Sequence, residues 1–265
     1  MKKTTVFASL AFAGLLGASN GEVIYEGFDY PTGTLSTESG GTWSGNATVS
    51  TPGLTYGDLA TAGNTAAFIG QAGSFSVGTS LDGLLDHGDT LWFSVLINVG
   101  SIGTNPDFAF ALGNGVLRAT NNVPMSASET GYGLRVKNNL SATSWNNGPS
   151  GGTTQTITAA TTYLVAGEMI FNADNALADT INLYLPGTDL TLGSVVSTIA
   201  ATLDQTVFDT ISFANKSQTT GDFVDEIRFG TSYADVAVAV PEPGTFALLS
   251  GCLALTSIML RRRRD

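Results

Sequence analysis

A single cysteine, Cys252, stands in the whole chain, and it lies in an apolar run near the C-terminus. The rest therefore has no disulfide, no thiol nucleophile and no cysteine metal site. Histidine also occurs once, as His87 in the turn-like Asp82–Asp89 stretch. A lone imidazole builds no zinc centre unless carboxylates fill in, and no nucleophile-elbow sequence offers it a serine. His87 reads as an exposed turn residue. Helical periodicity is missing too: between residues 22 and 240 no stretch keeps a 3.6-residue apolar period for three turns.

Positive charge is scarce. Eleven Lys and Arg oppose 22 Asp and Glu, a net charge of −11. Six of the basic residues, Lys2, Lys3 and Arg261 to Arg264, sit at the two ends. Between residues 22 and 240 only five basic residues face twenty acidic ones, a net of −15. Such a surface repels nucleic-acid phosphates and anionic lipid, which excludes nucleic acid as a partner.

What the chain has in quantity is glycine, 32 in all, with abundant Thr, Ser and Asn. That composition predicts short strands joined by tight turns. Leu91, Phe93, Val95, Ile97 and Val99 alternate with other residues, as do Tyr132, Leu134 and Val136, and Ile181, Leu183 and Leu185. Period two puts each set on one face of a sheet. Residues 165–171, 207–213 and 224–229 read as further strands. The expectation is an all-β chain of ten to fourteen short strands in two packed antiparallel sheets.

The ends carry a different signal. Lys2 and Lys3 precede an apolar stretch from Val6 to Leu16 and small residues from Gly17 to Gly21. This reads as a signal peptide over 1–21, with Ser19 and Gly21 at the small-residue positions before the cut. The C-terminus reads VPEPGTFALLSGCLALTSIMLRRRRD. Two prolines in Val240 to Pro243 stop any regular element. Residues 245–260 form an uncharged span, short but near the roughly 17 residues that can cross a hydrocarbon core. Arg261 to Arg264 would mark the cytoplasmic side of a transmembrane helix.

In that order, the three parts resemble the PEP-CTERM sorting signal, a tail type also called ice-binding-protein C-terminal. The resemblance implies an exosortase-type processing enzyme as partner, with Val240, Pro241, Glu242, Pro243 and the arginines 261–264 (Arg261, Arg262, Arg263, Arg264) as sorting residues. It implies export, membrane anchoring through the C-terminal helix, and then a cell-surface or matrix location, in bacteria that often make extracellular polysaccharide.

A second resemblance runs through 22–236. Ile24-Tyr25-Glu26-Gly27-Phe28-Asp29-Tyr30-Pro31, Tyr163 to Gly167, and Val224-Asp225-Glu226-Ile227-Arg228-Phe229-Gly230 are similar to patches of laminin-G-like, concanavalin-like jelly rolls. That family implies a β-sandwich whose first and last strands lie close together. The domains expected are thus a signal peptide over 1–21, a sandwich over 22–236 and a sorting tail over 237–265.

Candidate chemistry is sparse. Hydrolases of the concanavalin-like group place acids at alternating strand positions, as glycoside hydrolysis needs two facing carboxylates. Here Asp225 and Glu226 are neighbours, so they read as surface or capping acids. Loops rich in Asp and Asn could hold a structural calcium, with Asp82, Asp86 and Asp89 as one ligand set and Asp222 with Asp225 as another. Trp43, Trp92 and Trp145 could stack on sugars, and Trp145, in a Ser/Asn/Gly-rich stretch, is the first candidate. The sequence predicts a non-catalytic adhesive or structural protein associated with extracellular polysaccharide. A polysaccharide-acting hydrolase or lyase, or a calcium-dependent carbohydrate-binding module, is the alternative.

Overall fold

The computed structural model describes residues 22–68, 72–77, 80–103, 108–114, 130–146, 149–216 and 221–240. Sixteen strands make two antiparallel sheets. The first sheet runs β14 (Val195–Ala201), β13 (Asp179–Tyr184), β12 (Thr162–Ile170), β7 (Thr90–Val99), β16 (Asp222–Gly230), β5 (Thr65–Phe68), β4 (Thr48–Ser50), β2 (Gly33–Thr34). Its ninth strand, β1 (Glu22–Glu26), also pairs with β16. The second sheet runs β11 (Pro149–Gln155), β10 (Leu140–Asn146), β9 (Thr130–Val136), β8 (Phe108–Asn114), β15 (Thr210–Asn215), β6 (Ala72–Ser76), β3 (Ser44–Gly45). Among the described residues helix is confined to single turns: α1 (Leu35–Glu38), α2 (Tyr233–Val236) and the 3-10 turn η1 (Gln205–Val207).

The expected all-β jelly-roll sandwich is what forms, with the first and last strands paired. Strands of two residues, β2 and β3, carry no period, and so the sequence count fell short. Residues 207–213 divide between η1 and β15, because the Asp204 side chain accepts the Thr206 N–H and closes a turn there. The signal segment 1–21, with Ser19 and Gly21, and the tail 241–265 lie outside the described residues. No helix among the described residues is long and apolar enough to cross a membrane.

The alternating apolar sets meet between the sheets. Leu91, Phe93, Val95, Ile97 and Val99 of β7 are all buried, as are Phe108, Phe110 and Leu112 of β8. Phe93 lies 5.7 Å from Phe110 and 5.9 Å from Phe229, ring centre to ring centre. Gly167 on the neighbouring strand makes room for the Phe93 ring, which would meet any Cβ there. Each such side chain, moved from water to this interior, contributes about 1.5–3 kcal/mol.

The two outward faces differ. On the nine-stranded sheet, Leu54, Tyr56 and Leu59 cover Leu96, Leu164 and Leu190. Beyond that cover a row stays half-exposed: Thr198, Asn182, Glu168 and Trp92, in register on β14, β13, β12 and β7. On the seven-stranded sheet the corresponding row is small: Thr143, Gly133, Ala111, Ser212 and Ser74.

Candidate functional site

The adjacent acids Asp225 and Glu226 are both fully buried, against the expectation of surface or capping acids. Glu226 has φ 51°, and the β16–β7 register shifts between Asp225 and Arg228. This bulge breaks the alternation that would have sent one of the two acids outward. Asp225 accepts the Leu54 N–H at 2.7 Å and the Glu226 N–H at 2.9 Å. Glu226 accepts the Ala62 N–H at 2.6 Å and an Arg228 guanidinium N–H at 2.7 Å. Arg228 in turn donates to the Ala60 carbonyl and lies 4.8 Å from the centre of the Tyr25 ring. The acids thus clamp the 54–62 segment onto the sheet. Their role is structural.

Asp222 and Asp225 form no calcium cluster. Asp222 pairs with Val99 and faces the interior, where it accepts the Gly100 N–H and the Asn215 amide. Asp225 pairs with Leu96 and faces the other side. An odd separation along a strand forces that divergence. Among the described residues no group of three His, Cys, Asp or Glu could hold a metal ion.

Burial raises Asp222 from 3.8 to about 6 and Asp225 to about 8, against the hydrogen bonds each accepts. A carboxyl with a raised folded pKa binds its proton more tightly when folded. Its stabilising contribution is complete below about pH 3.8 and is lost as pH rises through the folded value. The urea midpoint is therefore expected to fall between pH 4 and pH 9, and Asp225→Asn should flatten the upper part of that decline. An unchanged slope in the variant would refute the assignment to Asp225.

The tryptophans sort differently from expectation. Trp145 is 1 % exposed, packed over Ala109, Ala111 and Ala214 on the outward face of the seven-stranded sheet. Gly131 beside it and Gly133 nearby leave the strand surface flat enough for the indole to lie down. It is no exposed sugar platform, and among the described residues its indole N–H has no partner. Because a buried unpaired donor is unfavourable, Trp145→Phe should leave thermal stability unchanged or raise it by up to about 1 kcal/mol. A loss above that in a denaturant titration would contradict the packing described. Trp43 is buried among Phe28, Phe75 and Phe213 and donates to Glu26 at 2.9 Å. Only Trp92 keeps a half-exposed ring, 5.6 Å from Tyr184 and 5.7 Å from Tyr233. Beside it, Glu168 Oε2 accepts the Tyr184 hydroxyl at 3.0 Å and the Asn182 amide at 3.1 Å. Desolvation, then the bond to Glu168, pushes the Tyr184 hydroxyl up to about 12.

A concave site lies at one end of the sandwich, where β7 begins and β14 ends. A polar cavity of about 300 Å³ is lined by His87, Asn175, Thr202, Leu203, Asp204 and Thr206. A second, of about 210 Å³, adjoins it at Thr206 and is lined by Asp82 and Asp86, with Leu81, Leu85 and Phe208 behind. Asp89 lines neither; its carbonyl takes the Phe171 N–H instead. His87 is exposed, as its turn position implied, yet its ring is held. Gln205, fully buried in η1, places its amide nitrogen 3.0 Å from His87 Nδ1. Asp204 Oδ1 accepts both the N–H and the hydroxyl of Thr206, which fixes η1 under the ring. Behind the cavity, Tyr132 lies 2.6 Å from Asp179 Oδ2 and accepts the Leu203 N–H at 3.1 Å. The Gln205 amide nitrogen can only donate to Nδ1, so the neutral ring carries its hydrogen on Nε2, and the ring lines a cavity of hydroxyl, amide and carboxylate groups. The sequence hid this arrangement because Gln205 stands 118 residues from His87.

No family model matches this chain, and no curated protein is similar to it. Solved structures share its fold. A marine PL-14 alginate lyase from Aplysia kurodai superposes with a TM-score of 0.52 at 9 % identity, over 80 % of this chain and 99 % of the lyase. An endo-β-1,4-glucuronan lyase from the fungus Trichoderma reesei gives 0.49 at 12 % identity, over 81 % and 98 %. The potassium-bound carbohydrate recognition domain of Emp46p gives 0.46 at 11 %, over 78 % and 95 %. The expectation that the body has no catalytic role is set aside, because the fold it forms is one that an alginate lyase has.

Proposed function

We propose that this protein is an exported enzyme that cleaves polysaccharide at the His87 cavity, by β-elimination from a uronate-containing chain. The observation that carries the reading is the only imidazole of the chain, held by a buried amide in the wall of a polar cavity. The likeness of the fold to an alginate lyase supports it by analogy alone. In such a step a base removes the proton α to the carboxyl group. The released electron pair forms a carbon–carbon double bond as the glycosidic C–O bond breaks, and the leaving oxygen takes up a proton. For His87 Nε2 to take that proton the Gln205 amide turns, so that its otherwise unpartnered Oε1 accepts the Nδ1–H and Nε2 is left with its lone pair. Asn175 lines the cavity with neutral amide donors suited to a carboxylate, and Asp204 faces the same space. The half-exposed row of Trp92, Glu168, Asn182 and Thr198 offers the remainder of the chain a ring and hydrogen-bonding groups on the neighbouring sheet face.

Export through the 1–21 segment and sorting by an exosortase-type enzyme, read from Val240-Pro241-Glu242-Pro243 and the arginines Arg261 to Arg264, complete the proposal. On this reading the enzyme works at the cell surface or in the extracellular matrix. The test is incubation of the protein with a panel of neutral and uronate polysaccharides, followed through the ultraviolet absorbance of the unsaturated product and through reducing ends. New reducing ends without that absorbance would replace elimination by hydrolysis. No cleavage of any polymer would refute the enzyme reading.

A further inference from the structure

Between the cover of Leu54, Tyr56 and Leu59 and the end that carries the His87 cavity, the outward face of the nine-stranded sheet stays open. Leu91, Met169, Ile181 and Ile199 point into the core, which turns the residues on either side of each outward. Two rows result. Nearer the cavity stand Thr90, Ile170, Thr180 and Ala200, in register and without a charge. Ile170 and Ala200 are exposed, Thr90 and Thr180 half-exposed. The next row is Trp92, Glu168, Asn182 and Thr198, all half-exposed.

The polar groups of this second row are fixed in place. Tyr184 donates its hydroxyl and Asn182 its amide to the same oxygen, Glu168 Oε2. Both bonds orient the carboxylate, and no described residue donates to Oε1. Among the described residues no Lys or Arg pairs with Glu168; the guanidinium of Arg228 is taken by Glu226. Trp92 is held by Tyr184, stacked at 27°, and by Tyr233, whose hydroxyl donates to the Leu190 carbonyl at 2.7 Å. Among the described residues its indole N–H has no acceptor, and unlike that of Trp145 it is not sealed from solvent.

We infer that this strip is a binding site for uncharged pyranose units. An apolar ring, an oriented acceptor, an amide and a hydroxyl side by side match the C–H face and hydroxyl rim of a sugar. The unbalanced carboxylate, on a body with five basic and twenty acidic residues, repels a uronate from the same place. The row crosses three strand spacings of about 4.8 Å, roughly 14 Å, which accommodates a short oligosaccharide. Thr198 stands four residues before Thr202 of the cavity, roughly 14 Å along the chain at about 3.4 Å per residue. One polymer therefore reaches both places. The neutral-sugar site stands without catalysis, whereas its link to the cut polymer rests on the cleavage reading. On that reading the substrate is mixed: a uronate enters the cavity and neutral sugars lie over Trp92.

The full-length chain carrying His87→Ala, which leaves the ligand intact, is titrated with cellohexaose, mannohexaose and hexagalacturonate, read by calorimetry and indole fluorescence. A neutral hexamer should bind and shift the emission, and hexagalacturonate should bind at least tenfold more weakly. Trp92→Ala should weaken binding of the neutral hexamer at least tenfold. Should that change lower the melting temperature, Glu168→Gln keeps the volume and gives a second readout. In it the preference for the neutral hexamer over hexagalacturonate should shrink at least fivefold. Binding of neither neutral hexamer, or a preference that Glu168→Gln leaves unchanged, would overturn the site. Neutral binding by a chain that cleaves nothing would keep the site and sink the cleavage reading. Cleavage with a Michaelis constant unmoved by Trp92→Ala would keep the cavity and overturn the claim that one polymer spans both.

Discussion

Replacement of His87 by alanine is expected to lower the rate of polysaccharide cleavage by about 10²–10⁴-fold, the usual contribution of a positioned acid or base. That loss corresponds to about 2.7–5.4 kcal/mol of barrier at 1.36 kcal/mol per decade. The ring is exposed and contributes little to the core, so the melting temperature should barely move. Gln205→Leu should act through the ring and not on the substrate. It removes the amide that holds Nδ1, and the pH profile should shift while the Michaelis constant stays close to the parent value. Full activity in His87→Ala would remove the imidazole from the mechanism and, with it, the case for this cavity. A variant that lost activity only because it unfolded would betray itself in the circular dichroism spectrum.

The second large effect concerns stability. Arg228→Ala strips the guanidinium from Glu226, which is fully buried and 2.7 Å from it. Breaking a buried ion pair from one side leaves an uncompensated charge, and about 3–5 kcal/mol is the usual penalty. The Ala60 carbonyl also loses its donor, so the 54–62 segment should loosen first, visible as faster amide exchange at Leu54 and Ala62. Glu226→Gln combined with Arg228→Met should recover most of the loss, because it removes both charges and keeps the volume. If the double variant is no more stable than Arg228→Ala alone, packing and not charge explains the effect.

The sheets were largely legible in the sequence. Leu91 to Val99 alternate so regularly that both the strand and its buried face could be read from composition and period alone, and β9 and β13 follow suit. What alternation cannot reveal is a bulge. A single left-handed residue at Glu226 turned two predicted surface acids into a buried clamp. Trp145 was misread for a related reason. Its neighbours in sequence are polar, but its neighbours in space, on β8 and β15, are alanines that invite an indole to lie flat. The His87–Gln205 contact depends on where η1 lands between β14 and β15, a long-range consequence of sheet order that no local pattern encodes.

The pairing of β1 with β16 sets Glu22 opposite Gly230, so the polypeptide enters and leaves the sandwich at neighbouring points. The outgoing strand then returns along the body, where the Val240 N–H bonds to the Asp58 carbonyl at 2.8 Å. A domain with adjacent ends behaves as a bead on a hairpin: it can be spliced into a loop of another protein, or its ends can be joined and new ones opened elsewhere, with the fold intact. It also means that tension applied between the two ends would first strip Val238 to Val240 from Asp58 to Ala60 and then peel β1 from β16 one residue pair at a time, before the strands of the core felt the load.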